Sequence, residues 1–264
     1  MVALVVVVFF LARLATQSSP PPSLSPAITA EVVSQITSVP PTTLAQVGLG
    51  SAQIPLRAVP GQPLIGPTGK PELLYLGAEY CPYCAAERWP LIVALSRFGS
   101  FSGLQATISS SSDVYPDTRS FTFRGSRYVS QYLDFVPVEQ FGRQPQGSGG
   151  YNLLQQPTAE QQALVSGYDA APYTDQPGAI PFVDLGNRYV FTGSTYQPDL
   201  IQGMSWQGIA RSLREPSSAQ AKAILGSANL ITAAVCQLTA QQPAEACSSA
   251  PIEAIETQLP KSPA

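Results

Sequence analysis

Two cysteines separated by two residues, Cys81-Pro82-Tyr83-Cys84, carry the clearest capacity for chemistry in this sequence. A thiol pair at that spacing can close on itself as a disulfide and exchange with other disulfides, with the thiolate as the reacting form. The short apolar run Glu72-Leu73-Leu74-Tyr75-Leu76-Gly77 leads into the pair, and apolar residues at helical spacing follow it: Trp89, Ile92, Leu95 and Phe98. The cysteines therefore stand where a buried strand hands over to a helix. Free N–H groups and the positive end of the helix dipole stabilise a thiolate there. In such motifs the first sulfur's pKa falls from about 8.5 to roughly 3.5–7.5. Cys81, at the end of the loop, is expected to be the nucleophile. Cys84, one turn into the helix, would resolve the mixed disulfide, and Pro82 supplies the fixed φ suited to a first helical turn.

The sequence contains no histidine, which excludes Ser-His-Asp hydrolases, His-ligated zinc enzymes and c-type haem attachment. The net charge of -3, from 14 Lys+Arg and 17 Asp+Glu, leaves no basic field for nucleic acid. Three other uses of the four cysteines stay open at this point. All four sulfurs could hold zinc, although Cys236 and Cys247 are spaced far more widely than the usual ligand pair. A copper carrier would have only Met1 and Met204 as further soft ligands. Cys81–Cys84 could also be an inert bridge, although rings this tight are redox-labile. Cys236 and Cys247 read as a structural disulfide worth on the order of 3 kcal/mol, or else as a second redox pair that passes electrons to the first. No metal and no organic cofactor is implied.

The elements that must position these residues alternate between strand and helix. Strands are expected over 104–109, 120–123 and 132–138, and a helix over 158–165. The run 180–191 reads as a hairpin turning at Gly186-Asn187. A helix follows through Ile224, Leu225, Ala228, Ile231, Val235 and Leu238. Pro90 is predicted to kink the helix that starts at the cysteines, and Asp184 reads as a strand-end residue in contact with solvent. The plan is α/β. At about 150 residues per domain, 264 residues make one large domain or two small ones.

Residues 2–12 are unbroken apolar sequence, the length of a signal core rather than of a full bilayer span of about 20 residues. The following stretch is rich in Ser, Thr and Pro. The expected organisation is a signal or membrane-anchor segment over 1–15, a tether over 16–42, and a folded domain over 43–264. Export follows as the working expectation, and it makes disulfides chemically permissible.

The residues around the first pair resemble a thioredoxin-like protein. Ala78-Glu79-Tyr80-Cys81 preceding Cys84 is similar to the Ala-Glu-Trp-Cys of the thioredoxin signature, and Pro82-Tyr83 matches the glutaredoxin dipeptide. Ile180-Pro181-Phe182-Val183 resembles that family's second hallmark, a cis-proline opening a strand beside the cysteines. The run Cys-Pro-Tyr-Cys-Ala-Ala-Glu-Arg-Trp, taken with the C-terminal cysteine pair, looks closest to a membrane-anchored bacterial and archaeal family catalogued as a domain of unknown function. The resemblance implies a thioredoxin-like fold with an insertion of about 110–166 between the cysteine helix and the cis-proline strand, plus C-terminal helices. It implies that Pro181 is cis and packs against the Cys pair, and that the backbone of Ile180 pairs with an extended substrate peptide.

One departure concerns proton transfer. The family's buried Asp, six residues before the nucleophile, falls on Tyr75, so Glu79 or Glu87 would have to serve the resolving thiol. Tyr80, Tyr83 and Trp89 could rim a peptide site, with Trp89 assigned to the core. The function expected is an extracytoplasmic thiol–disulfide oxidoreductase, held at the membrane by its N-terminal segment. It would act on exported protein thiols and disulfides and exchange electrons with an unidentified membrane redox partner. The alternative is a non-catalytic binding or scaffold domain at the cell envelope whose disulfides only stabilise it.

Overall fold

The computed structural model describes residues 26–147 and 149–261, and the predicted segment 1–15 and the start of the predicted tether lie outside them. In chain order the elements begin with helices α1 (Pro26–Thr37) and α2 (Pro41–Val47), strands β1 (Arg57–Ala58) and β2 (Glu72–Gly77), and helix α3 (Pro82–Leu95). β3 (Gly99–Ser102), β4 (Gln105–Ile108), β5 (Arg119–Thr122) and β6 (Arg127–Ser130) follow. β3 pairs with β6 and β4 with β5, so they form a nested two-stranded ribbon. β7 (Asp134–Glu139) precedes a hairpin of β8 (Phe141–Pro145) and β9 (Tyr151–Leu153). α4 (Ala159–Tyr168) starts at a capping box made by Thr158 and Gln161. β10 (Phe182–Leu185) and β11 (Tyr189–Thr192) form a second hairpin. The chain ends in α5 (Trp206–Ser212), α6 (Ala219–Leu238), α7 (Ala244–Cys247) and α8 (Ala250–Glu256).

The main sheet is mixed, in the order β1-β11-β10-β2-β7. β7 runs parallel to β2, and β10 runs antiparallel to both β2 and β11. β2 is an interior strand, which is why all six of its residues are buried and why Leu73 to Leu76 are apolar in succession rather than alternating. Its side chains still divide by face. Leu73 and Tyr75 enter the main core with Trp89, Ile92 and helix α6, while Leu74 and Leu76 join Val138, Phe182 and Val190. Leu164 and Val165 of α4 cover that second cluster. The sheet thus lies between α3 with α6 on one face and α4 on the other, a mixed α/β architecture. The hairpin turn has φ of 65° at Gly186 and 54° at Asn187, the two left-handed residues that a tight turn of this hand requires.

Several expectations are corrected. The predicted tether 16–42 is not a linker in its second part, because α1 packs against α3 and α5. Val32 and Ile36, one helical turn apart, are buried in the main core. The Ser, Thr and Pro content drew the reading toward a linker, but an apolar pair at i, i+4 with a core to meet decides for helix. The predicted insertion 110–166 is not one piece, since β7 inside it belongs to the main sheet. What stands outside the sheet is the β3–β6 ribbon and the β8–β9 hairpin. Gly99, directly after the helically spaced apolar run that ends at Phe98, is the first residue of β3. Pro90, where a kink is expected, does not end α3, which continues to Leu95. Asp184 is fully buried rather than solvated. α6 is long and apolar enough to cross a membrane by composition, yet 83% of that stretch is buried inside the protein, as for a core helix.

Candidate active site

Cys81 is the N-cap of α3. Its backbone is extended, Pro82 opens the first turn, and its Sγ accepts a hydrogen bond from the Cys84 N–H at 3.3 Å. The sulfur thus occupies the position a Ser or Asp side chain takes at other helix starts, satisfying one of the otherwise orphaned donors. From the far side the Cys81 thiol donates to the Ile180 carbonyl at 3.5 Å, and the Ile180–Pro181 peptide bond is cis. The fold therefore brings residues ninety-nine positions apart into contact at one sulfur. Cys81 and Cys84 are both free thiols.

A groove of about 550 Å³ opens onto Cys81, walled by Tyr83, Arg57, Asp175, Gln176 and Ile180. Cys81 is 4% exposed and Cys84 is fully buried. Two aromatic contacts involve the tyrosines that flank Cys81 in the chain. Tyr80 stacks on Tyr151 of the β8–β9 hairpin at 4.0 Å, and Tyr83 meets Tyr115 edge to face at 5.8 Å.

The two thiols are pushed apart electrostatically. Burial opposes ionisation of Cys81. Hydrogen bonds from the side chain and backbone of Cys84, the Arg88 charge and the Tyr83 N–H outweigh it, so the thiol sits below its ordinary value. Cys84 moves well above its ordinary value through burial and through its hydrogen bond and proximity to Cys81, against the pull of Arg88. One thiol poised to ionise and one held neutral is the division of labour that thiol exchange needs.

Beneath the pair lies a buried charge layer. Arg88, one turn after Cys84 on α3, donates from Nε and Nη2 to the two carboxylate oxygens of Glu139 at 2.9 and 2.7 Å. Its Nη2 also donates to the Ala78 carbonyl at 2.8 Å. Both side chains are 0% exposed. The Arg88 guanidinium lies 5.8 Å from the centre of the Tyr75 ring. The sequence reading missed this pair. Its only signal was Glu87-Arg88, two charges inside a helix that is otherwise apolar around them.

The remaining predicted residues fall as follows. Glu79 is half-buried, with its N–H donating to the Phe141 carbonyl at 2.8 Å. Glu87 is fully buried, and its Oε2 accepts from the Thr195 N–H and hydroxyl, both at 2.7 Å. Trp89 is fully buried and donates from Nε1 to the Arg119 carbonyl. Cys236 and Cys247 are bonded to each other across a Cα–Cα distance of 5.6 Å, which removes both as thiolate ligands. Among the described residues no group of three or more His, Cys, Asp or Glu converges as a metal site.

The model of a family described as "Domain of unknown function (DUF929)" matches residues 60–237, a span that takes in β2, the cysteine helix, the cis-proline hairpin and nearly all of α6. No curated protein and no solved structure matches the chain.

Proposed function

The chain belongs to the DUF929 family, and from that premise we propose that it is a thioredoxin-like thiol–disulfide oxidoreductase working outside the cytoplasm. The observation that carries this reading is the coordination of one sulfur. Cys81 Sγ caps α3 on the Cys84 N–H and faces the carbonyl of Ile180, the residue before the cis-proline. The sheet order supports the fold assignment. A strand leads into the cysteine helix, its parallel neighbour is β7, and a cis-proline antiparallel hairpin packs on its other side.

In the reducing direction, the Cys81 thiolate attacks one sulfur of a substrate disulfide. A Cys81–substrate disulfide forms and the other substrate sulfur leaves as a thiolate. Cys84 then loses its proton and attacks the Cys81 sulfur, closing Cys81–Cys84 and releasing the second substrate thiolate. Two electrons pass to the substrate, and the reverse sequence oxidises it. The Cys236–Cys247 disulfide beside a free pair fits an oxidising compartment, and exported protein thiols and disulfides are the substrates that compartment offers. An N-terminal membrane anchor and a membrane redox partner belong to the same proposal.

One observation favours the second reading, a non-catalytic envelope scaffold: Cys81 keeps only 4% of its surface exposed. Mixing the dithiol protein with oxidised glutathione separates the two. Formation of a Cys81–Cys84 disulfide with stoichiometric release of glutathione thiol supports the oxidoreductase. Inertness of both thiols leaves the scaffold.

A further inference from the structure

A buried ion pair is an inefficient way to stabilise a core, since apolar residues of the same volume serve as well or better. Arg88 and Glu139 are nevertheless fully enclosed, and Arg88 stands one turn after Cys84 on α3 with its Nη2 on the Ala78 carbonyl. Glu139 is clamped from every side. Its oxygens take Arg88 Nε and Nη2, Oε1 also accepts the Phe123 N–H at 3.3 Å, and its own N–H donates to Gln155 at 2.8 Å. Arg88 is clamped less completely. Its Nη2 reaches the carbonyl of Ala78, three residues before Cys81, and its Nη1 has no hydrogen-bond partner. Both carboxylate oxygens are thus engaged, while the cation keeps one buried donor, Nη1, without a partner.

We propose that Arg88 and Glu139 are positioning residues that act as a fixed charge pair on the Cys81–Cys84 site: Arg88 holds negative charge on whichever sulfur carries it, and Glu139 limits how strongly it does so. No titrating carboxylate is required in this arrangement, which accounts for an active pair whose buried position six residues upstream is Tyr75, a group that burial pushes well above its ordinary value and that cannot act as a base. The other titratable groups next to the thiols are Tyr80 and Tyr83, and Asp113 stands near both tyrosines. The tyrosines are raised by burial and stay neutral where Cys81 ionises. The proposal concerns the electrostatics of the same site as the exchange reaction above, but its test needs no substrate disulfide.

The test is the pH dependence of Cys81 ionisation in the full chain with Cys236–Cys247 intact, read by ultraviolet thiolate absorbance and by the rate of iodoacetamide alkylation. Arg88→Met is expected to slow alkylation near neutral pH by about tenfold, one pKa unit upward. Glu139→Gln, which leaves the guanidinium uncompensated, is expected to move the midpoint the other way. Arg88→Lys should restore most of the wild-type value, because it keeps the charge. Removing one member of a buried pair can cost about 3–5 kcal/mol. The double variant Arg88→Met/Glu139→Leu, which leaves no orphan charge, therefore guards against simple unfolding. It should lie between wild type and Arg88→Met. Shifts of opposite sign in the two single variants support the proposal. Shifts of the same sign, or unchanged midpoints in folded variants, overturn it. Inertness toward glutathione with these shifts intact would instead sink the exchange reaction and leave the charge pair standing.

Discussion

The two cysteine pairs have the same atoms and opposite surroundings. Cys81 and Cys84 begin a helix, where backbone donors point at the sulfur, a buried cation lies beneath and a groove opens alongside. Cys236 and Cys247 sit near the end of α6 and in α7, fully buried in the main core among Ile, Leu and Ala side chains and bonded to each other. On the proposed reading, burial alone does not decide whether a thiol is inert. What matters is whether the buried sulfur meets donors and charge that favour the thiolate, and whether one side of it faces a space that a second sulfur can enter.

The largest expected effect breaks the comparison at its reactive half. Cys81→Ser should reduce exchange with glutathione disulfide to the uncatalysed rate, while thermal unfolding stays close to wild type. Cys84→Ser should retain the first step only, accumulating a Cys81 mixed disulfide that intact-mass spectrometry detects, because nothing remains to resolve it. At the staple, the effect should fall on stability instead. Cys236→Ala/Cys247→Ala is expected to cost about 3 kcal/mol, which in a chain of this size lowers the Tm by roughly 6–12 °C, with the exchange rate unchanged.

The smallest effect concerns pH and the far side of α3. Burial raises Glu87 to about 8, against the hydrogen bonds from Thr195, and Glu72 and Asp184 to about 7. In each case the folded protein binds the proton more tightly than the unfolded chain. The resulting stability is present below the unfolded carboxylate pKa and is lost as pH rises through the folded values. Unfolding monitored from about pH 5 to about pH 8 should show stability falling, and Glu87→Gln should reduce that total fall by about 1–3 kcal/mol. A steeper slope in the variant would contradict the assignment of Glu87 as a buried neutral acid.

Much of this arrangement was legible in the sequence where it is local. The strand into Cys81, the helix from Pro82, the Gly186-Asn187 turn and the long apolar helix follow from period and turn chemistry over a dozen residues. Pairings across long separations were less legible. β7 was expected as a strand, but nothing local says that it pairs in parallel with β2, so it was counted into an insertion. β8 and β9 are short and polar, yet they deliver Tyr151 to Tyr80, the residue before Cys81. Arg88 and Glu139 lie 51 residues apart and look like ordinary surface charges until the fold encloses them. Ser- and Thr-rich composition concealed α1, whose stability comes from burial of Val32 and Ile36 against the core rather than from helix propensity.

The central claim is that Cys81–Cys84 is a redox couple and Cys236–Cys247 is not. It is tested most directly by equilibrating the protein across glutathione or dithiothreitol buffers of graded potential, then trapping free thiols and assigning them by peptide mass. The account predicts one two-electron transition, confined to the Cys81–Cys84 peptide and falling between about -270 and -120 mV, with Cys236–Cys247 bonded throughout that range. A Cys81–Cys84 pair that stays reduced at every poise, or that exchanges only when the fold is lost, would contradict it.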